Sequence, residues 1–210
     1  MKKIVAILLA LVLVASFAAC AAPAATTDTA AAEKPASGNP VVKIGVYEPA
    51  SGDNGAGGKQ ETLGIEYANS VSPTVEINGK TYDVQLVKVD NESSNDKAAS
   101  AAATLVSAGV SVVLGSYGSG VSIAASPTFE AAGIPAIGIT CTNPQVTEGN
   151  KHYFRICFLD PFQGTVLANY AYTTLGVKTA YCLSKLGDDY SGGLVNYFVK
   201  AFEALGGTCV

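Results

Sequence analysis

From residue 41 onward, apolar residues fall into short runs separated by stretches with helical spacing. Four runs rich in Val, Ile and Leu predict strands, at residues 41–47, 82–89, 110–114 and 134–139. Three intervening stretches predict helices, at residues 58–70, 95–107 and 123–132. This alternation predicts an α/β fold in which helices cover both faces of a parallel sheet.

A second series of the same kind follows the fourth strand. It predicts an extended segment, a helix, a strand and a helix, at residues 153–158, 162–175, 178–183 and 194–205. A further strand begins at Thr208, so the pattern predicts a chain that is cut off inside a βα series. We therefore expect an N-terminal α/β lobe at residues 41–158 and the start of a second, incomplete lobe at residues 159–210.

The N-terminus carries an export pattern. Two lysines precede an uncharged apolar run at residues 4–17, and two alanines then precede Cys20. The run is shorter than the ~20 residues that a spanning helix needs, so it is typical of a cleaved signal peptide. The segment resembles a bacterial lipoprotein signal, which implies a signal peptide at residues 1–19 and a lipid anchor on Cys20. Ordinary secretion with cleavage near Cys20 is the alternative.

The average composition suits a membrane protein, with 49% hydrophobic residues and a mean hydropathy of +0.30. Much of this excess lies in the leader and in residues 20–40, an Ala-, Thr- and Pro-rich stretch that predicts a flexible tether. Removing the two leader lysines from the 13 basic residues leaves 11 against 17 acidic ones, a net charge of −6. An acidic chain without a Lys/Arg cluster argues against nucleic-acid binding.

Candidate binding residues follow the predicted strands, because ligands of open α/β sheets bind beyond the carboxyl ends of the strands. The segments in question are residues 48–58, 115–120, 140–144 and 184–192. The second reads Gly-Ser-Tyr-Gly-Ser-Gly before a helix, so backbone N–H groups and the helix N-terminus favour an anion, and Ser119 adds a hydroxyl. A carboxylate fits this chemistry. A Gly-rich turn with a serine helix cap is the purely structural interpretation.

Enzyme chemistry has little support in the sequence. His152 is the only histidine, and no second His, Cys or carboxylate stands at metal-ligand spacing. We therefore expect neither a catalytic centre nor a metal or cofactor. A secreted serine hydrolase, with Ser119 as nucleophile and His152 as the sole candidate base, is an alternative of a different class.

Short motifs keep their order and spacing along the chain: 41–46, Ser51, Gly52, Gly64, 84–87, Asp90, 112–115, Ser119, 130–134, 140–144, 154–155, 160–164 and 189–193. Together they resemble the leucine/isoleucine/valine-binding protein family, the amino-acid-binding components of ABC importers. The family implies a type I periplasmic binding fold, in which two α/β lobes close on a ligand. It also implies an amino acid, branched-chain or related, as ligand and an ABC permease in the membrane as partner.

The resemblance implies roles for four residues. Ser119 matches the serine that receives the ligand α-carboxylate, and Thr140 matches a position whose backbone carbonyl takes the α-ammonium. Thr142 matches a threonine that contacts the amino-acid head group. Tyr190 matches the aromatic residue that covers the ligand from the second lobe.

Gly57 departs from the family pattern, since some members carry an aromatic residue there in the side-chain pocket. Tyr117 and Gly118 are expected to line the same region, so the resemblance implies an altered pocket. The function expected is that of a solute-binding lipoprotein, on the outer face of the cytoplasmic membrane or in the periplasm. A ligand-sensing domain of the same fold, for amino acids or small amides, is the alternative.

Overall fold

The computed structural model describes residues 37–210. The predicted signal peptide, the lipid anchor at Cys20 and most of the predicted tether lie outside the described residues. Within residues 37–210, no helix is both long and apolar enough to cross a membrane.

A mostly parallel sheet forms the larger part of the described fold. In residues 37–210 it contains six strands: β1 (Val41–Glu48), β2 (Thr74–Ile77), β3 (Lys80–Asp90), β4 (Val112–Leu114), β5 (Ala136–Gly138) and β6 (Tyr153–Arg155). Their order across the sheet is β2-β3-β1-β4-β5-β6. All neighbours pair in parallel except β2 and β3, which form a hairpin. The predicted parallel sheet is therefore confirmed, with one antiparallel strand added at its edge.

The hairpin turn follows directly from its sequence. Asn78 and Gly79 both have positive φ, at 52° and 72°, which is the backbone that an Asn-Gly two-residue turn favours. The β2 strand escapes prediction because each of its four residues is exposed, so no buried face marks it.

Helices cover both faces of this sheet, as predicted. The first is α1 (Gly55–Val71), and it packs on the face that carries Ile44 of β1. On the opposite face lie α2 (Asn95–Ser107) and α3 (Ser119–Ala132), which also pack against each other. There they bury an apolar core around Tyr47, Leu105, Val113 and Phe129.

Residues 160–210 add helices and a second, two-stranded sheet. Helix α4 (Asp160–Asn169) continues as a π-helix (Tyr170–Thr174), and α5 (Asp189–Ala204) packs against it. Strands β7 (Thr179–Ala180) and β8 (Thr208–Cys209) pair in parallel. Helices α4 and α5 approach closely at Gly164, where a Cβ would lie 2.7 Å from the Tyr197 Cβ.

Four helices begin earlier than the apolar pattern predicts: α4 begins at Asp160 rather than at residue 162, and the other three have glycine or serine in their first turn. Helix α1 begins at Gly55 rather than at residue 58, and α3 begins at Ser119 rather than at residue 123. Helix α5 begins at Asp189 rather than at residue 194, and its cap Asp188 accepts a 2.8 Å hydrogen bond from the Ser191 N–H. These earlier starts bring Ser119 and Tyr190 into first turns of helices.

Candidate ligand-binding cleft

A cavity of about 400 Å³ opens where the strand ends of the two sheets face each other. The six residues predicted to contact a ligand all line it: Tyr117, Gly118, Ser119, Thr140, Thr142 and Tyr190. Six further residues complete the lining: Asn54, Cys157, Phe158, Gln163, Lys185 and Asp188. The volume lies in the range of roughly 300–1,000 Å³ that is usual for small-molecule sites.

One side of the cavity, here called the first wall, is formed by the segments that follow β4 and β5, at residues 115–119 and 140–144. Helix α3 points its N-terminus into the cavity from this wall. Gly118 precedes the helix with φ 123°, and Ser119 is only 2% exposed. The Ser119 oxygen accepts a 3.2 Å hydrogen bond from the Asn143 N–H, which leaves its own O–H free to donate. A donor hydroxyl at a helix N-terminus favours a negatively charged ligand group.

Thr142 presents an unpaired hydroxyl in the same wall. Its side-chain oxygen is buried and has no hydrogen-bond partner among residues 37–210. The wall around it is held by the Arg155 guanidinium, which donates four hydrogen bonds of 2.6–3.0 Å. The acceptors are the carbonyl oxygens of Cys141, Asn143 and Pro144 and the Thr147 hydroxyl. Because a buried hydroxyl without a partner is costly, the Thr142 hydroxyl is ready to bond a ligand or the neighbouring Asp160 carboxyl.

Two carboxyl groups hold the first wall from behind. The Thr140 hydroxyl donates to Glu61 Oε1 at 2.5 Å, and the Tyr117 N–H donates to Glu48 Oε2 at 2.7 Å. Burial and the adjacent Glu61 carboxyl together raise the pKa of Glu48 to about 10, against the lowering effect of the Tyr117 N–H. The Thr140 hydroxyl, which donates to Glu61, is already bonded within the protein.

An aromatic ring closes one end of the cavity. A Cβ built on Gly57 would lie 2.5 Å from the Tyr117 ring, so the ring rests directly against the glycine. Tyr117 is 37% exposed, with its free face toward the cavity that it lines. The Tyr117 ring, from the loop after β4, therefore occupies the space beside Gly57.

The opposite side, residues 183–190, is called the second wall. Tyr190 is 38% exposed, and its hydroxyl accepts a 3.1 Å hydrogen bond from Gln163 Nε2. A hydrogen bond joins the walls, and an ion pair links the second wall to the loop before α1. Asn143 Nδ2 donates to the Asp189 carbonyl at 2.8 Å, and the Lys185 ammonium pairs with the Asp53 carboxylate. The two walls therefore touch across the cavity through the Asn143–Asp189 hydrogen bond.

Comparison with known proteins agrees with this geometry. Residues 41–210 match the family described as periplasmic binding protein. The chain belongs to this family. A curated relative from Pseudomonas aeruginosa strain PAO1, described as an amino acid binding protein, is 35% identical over 168 residues, which cover 79% of this chain and 44% of the relative.

Two solved periplasmic binding proteins share the fold. A leucine binding protein LivK from Thermotoga maritima is 37% identical, with a TM-score of 0.76, over 81% of this chain and 48% of that one. The branched-chain amino acid transporter substrate binding protein LivJ from Streptococcus pneumoniae, solved with isoleucine, is 30% identical, with a TM-score of 0.71 and the same two coverages. The chain thus spans about half the length of the relatives it matches, and the predicted fold class is confirmed.

Metal chemistry was not expected from the sequence. Among the residues that the structure describes, no group of three or more His, Cys, Asp or Glu side chains is arranged to hold a metal ion. The Ser119 hydroxyl, the candidate nucleophile, bonds the Asn143 N–H rather than a base.

Sequence reasoning missed the residues that support this periplasmic binding protein's cleft from behind. Glu48, Glu61 and Arg155 bond the walls through groups distant in sequence, and no local motif reports such contacts. Asn143 gave the one usable signal, since an Asn before Pro favours a turn. Its side chain accepts from the Gln145 N–H and begins a short 3₁₀ helix (Pro144–Val146).

Proposed function

We propose that this protein is an extracytoplasmic solute-binding protein that captures an amino acid with an apolar side chain for an ABC importer. The observation that carries the proposal is the polarity of the cavity. Ser119 and Thr142 supply hydroxyls at the N-terminus of α3, while Tyr117, Phe158 and Tyr190 supply aromatic surface. The relatives are described as amino acid, leucine and branched-chain amino acid binding proteins, which supports the same ligand class.

In this proposal each wall has a separate role. The ligand α-carboxylate bonds the Ser119 hydroxyl and the backbone N–H groups that follow Gly118. The α-ammonium bonds the Thr140 carbonyl and the Thr142 oxygen. Tyr117 and Tyr190 enclose the side chain from opposite walls, and closure of the cleft stabilises the bound state because those contacts form only when the walls meet.

Calorimetry of the full-length protein with a panel of amino acids tests the proposal. We expect micromolar or tighter binding of leucine, isoleucine or valine, and a loss of about 10-fold or more in Ser119→Ala, since a hydrogen bond to a charged group contributes roughly 1.5–3 kcal/mol. Ser100→Ala, on the exposed surface of α2, is the matched control and should bind as wild type. The absence of binding to every amino acid in the panel would refute the ligand class.

Ser119 acts as a binding residue in this proposal and breaks no bond. Its hydrogen bond to a backbone N–H supports that role, because a nucleophilic serine needs a base as its neighbour. A serine-directed fluorophosphonate should therefore leave the protein unlabelled. Labelling that disappears in Ser119→Ala would favour the hydrolase alternative.

We also propose that the protein is anchored through lipid on Cys20. The leader pattern at residues 1–19 supports this. Metabolic labelling with a radioactive fatty acid should mark the wild type and leave Cys20→Ser unlabelled. Equal labelling of the two, or none of either, would refute the anchor.

A further inference from the structure

Two glutamates meet behind the first wall, outside the ligand cavity itself. Glu48 is the last residue of β1 and is only 3% exposed, and Glu61 lies in α1. Each holds one group of the wall through one oxygen: Glu48 Oε2 accepts from the Tyr117 N–H, and Glu61 Oε1 accepts from the Thr140 hydroxyl. The pair therefore supports both segments of the first wall at once.

The other oxygen of each carboxyl is left without a donor. Glu48 Oε1 and Glu61 Oε2 are both buried, and neither has a hydrogen-bond partner among residues 37–210. The two side chains are within hydrogen-bonding reach of each other. Two ionised carboxylates cannot bond, since each offers only acceptors and their charges repel in a buried site. A single proton between the two free oxygens lets one carboxyl donate to the other, so that both oxygens take part in a hydrogen bond.

Among the described residues, no cation acts on Glu48 in place of that proton. Besides burial, Glu48 raises the pKa of Tyr47 of β1 and of Tyr153 of β6, and Glu61 raises that of Cys157 after β6. None of these is a cation. Burial and the neighbouring carboxyl both raise the pKa of Glu48, in agreement with a protonated pair.

We propose that Glu48 and Glu61 share one proton and that this protonated pair positions the Tyr117 and Thr140 segments for the ligand. The positioning role rests on the proposed function, whereas the shared proton does not. Loss of the proton leaves two negative charges in contact behind the wall. Their repulsion separates β1 from α1 and displaces both segments, so ligand affinity falls at alkaline pH.

The shared proton is tested on ligand-free protein by carboxyl NMR with ¹³C-labelled glutamate. We expect one glutamate carboxyl of the wild type to keep the chemical shift of the protonated form at pH 8. In Glu61→Gln that signal should titrate at lower pH than in the wild type, because the new amide donates to Glu48 and stabilises its ionised form while the burial of Glu48 is unchanged. Glu66→Gln, which removes an exposed ion pair from the same helix, is the matched control and should keep the signal. Ionisation of every wild-type carboxyl at pH 8 would overturn the shared proton.

The positioning role is tested by leucine affinity in the same variants. Glu61→Gln can still donate to Glu48 and accept from Thr140, so we expect its affinity at pH 7 to stay within about threefold of wild type. Glu61→Ala, which loses both bonds, should bind at least 10-fold more weakly. Between pH 7 and pH 10, the loss of leucine affinity should be at least threefold larger in the wild type than in Glu61→Gln. Titration of the ligand itself affects both proteins equally, so it cancels in this comparison.

The two measurements separate the proposals. Equal affinity of Glu61→Ala, Glu61→Gln and wild type would overturn the positioning role. If Glu61→Ala does not fold, parallel pH profiles of Glu61→Gln and wild type would overturn it instead. If the wild type binds no amino acid, the proposed function and the positioning role both fail, and the carboxyl signal still decides the shared proton.

Discussion

The two walls of the cavity differ in how firmly they are held. In the first wall, Ser119 and Thr142 are at most 6% exposed, and buried side chains bond the backbone around them. In the second wall, residues 183–187 are all exposed, with Leu186 fully so. The first wall therefore sits on the packed core of the larger sheet, and the second is a surface loop that precedes α5.

This difference assigns the walls different parts in binding. Groups held in place before the ligand arrives lose little entropy on binding, so a preformed first wall favours affinity. A loosely held second wall can move at little cost, which suits a cleft that must open and close. The comparison predicts that substitutions behind the first wall impair stability and affinity together, and that substitutions in the second wall affect closure alone.

The largest effect is expected from Arg155→Met, which removes all four hydrogen bonds that hold residues 141–147. Three carbonyls and one hydroxyl lose a charged donor, so the free energy of unfolding should fall by about 2–4 kcal/mol. Arg155→Lys should recover little, because one ammonium cannot reach four acceptors. Urea denaturation measures both. The exposed Lys151→Met is the control, and a loss below about 1 kcal/mol in Arg155→Met would mean that the wall is held by other contacts.

The next effect is a decrease in stability as pH rises. The folded-state pKa of Glu48 is raised from 4.5 to about 10, so its stabilisation is complete below pH 4.5 and is lost as pH rises toward 10. Unfolding releases that proton within this window, so the free energy of unfolding should fall by up to about 1.4 kcal/mol per pH unit. Urea denaturation at pH 6, 7 and 8 should show this slope. Glu48→Gln should lack it, and an unchanged slope in that variant would assign the effect to another group.

A smaller effect is expected from Gly57→Ala, compared with Gly64→Ala in the same helix. The new methyl at position 57 meets the Tyr117 ring at 2.5 Å and displaces it, so leucine affinity should fall about 3- to 10-fold by titration calorimetry. A methyl at position 64 meets nothing within 4 Å, so Gly64→Ala should bind normally and gain about 0.5–1 kcal/mol of stability. Equal affinity of both variants would contradict the role of the ring.

Sequence reasoning located the first wall because local rules apply to it. Strands with Val and Ile on both faces indicated a parallel sheet, and glycines after those strands indicated where ligand groups gather. Ser119 and the segment 140–144 follow from that rule, whereas Thr140 and Thr142 were singled out within the segment by the resemblance. Tyr190 came from the resemblance, because an exposed aromatic residue at a helix start has no pattern of its own.

The groups behind the wall could not be predicted in this way. Glu48 and Glu61 lie on different elements, and their contact depends on how α1 packs against the end of β1. Helix α1 lies close there because Gly58 has no side chain: a Cβ would lie 2.2 Å from the Pro49 carbonyl oxygen. Such a contact follows from packing, which no short segment of sequence specifies.

The smallest effect is expected in the second wall, at the ion pair between Lys185 and Asp53 of the loop before α1. Each partner favours the charged form of the other: Lys185 lowers the pKa of Asp53, and Asp53 raises that of Lys185. Both side chains are exposed, so water and salt weaken the attraction and Lys185→Met should reduce leucine affinity less than threefold, with unfolding unchanged. The reduction should disappear in about 1 M salt, where charges are screened within ~3 Å. A larger, salt-resistant loss would show that the second wall is as firmly built as the first, and the contrast between the walls would fail.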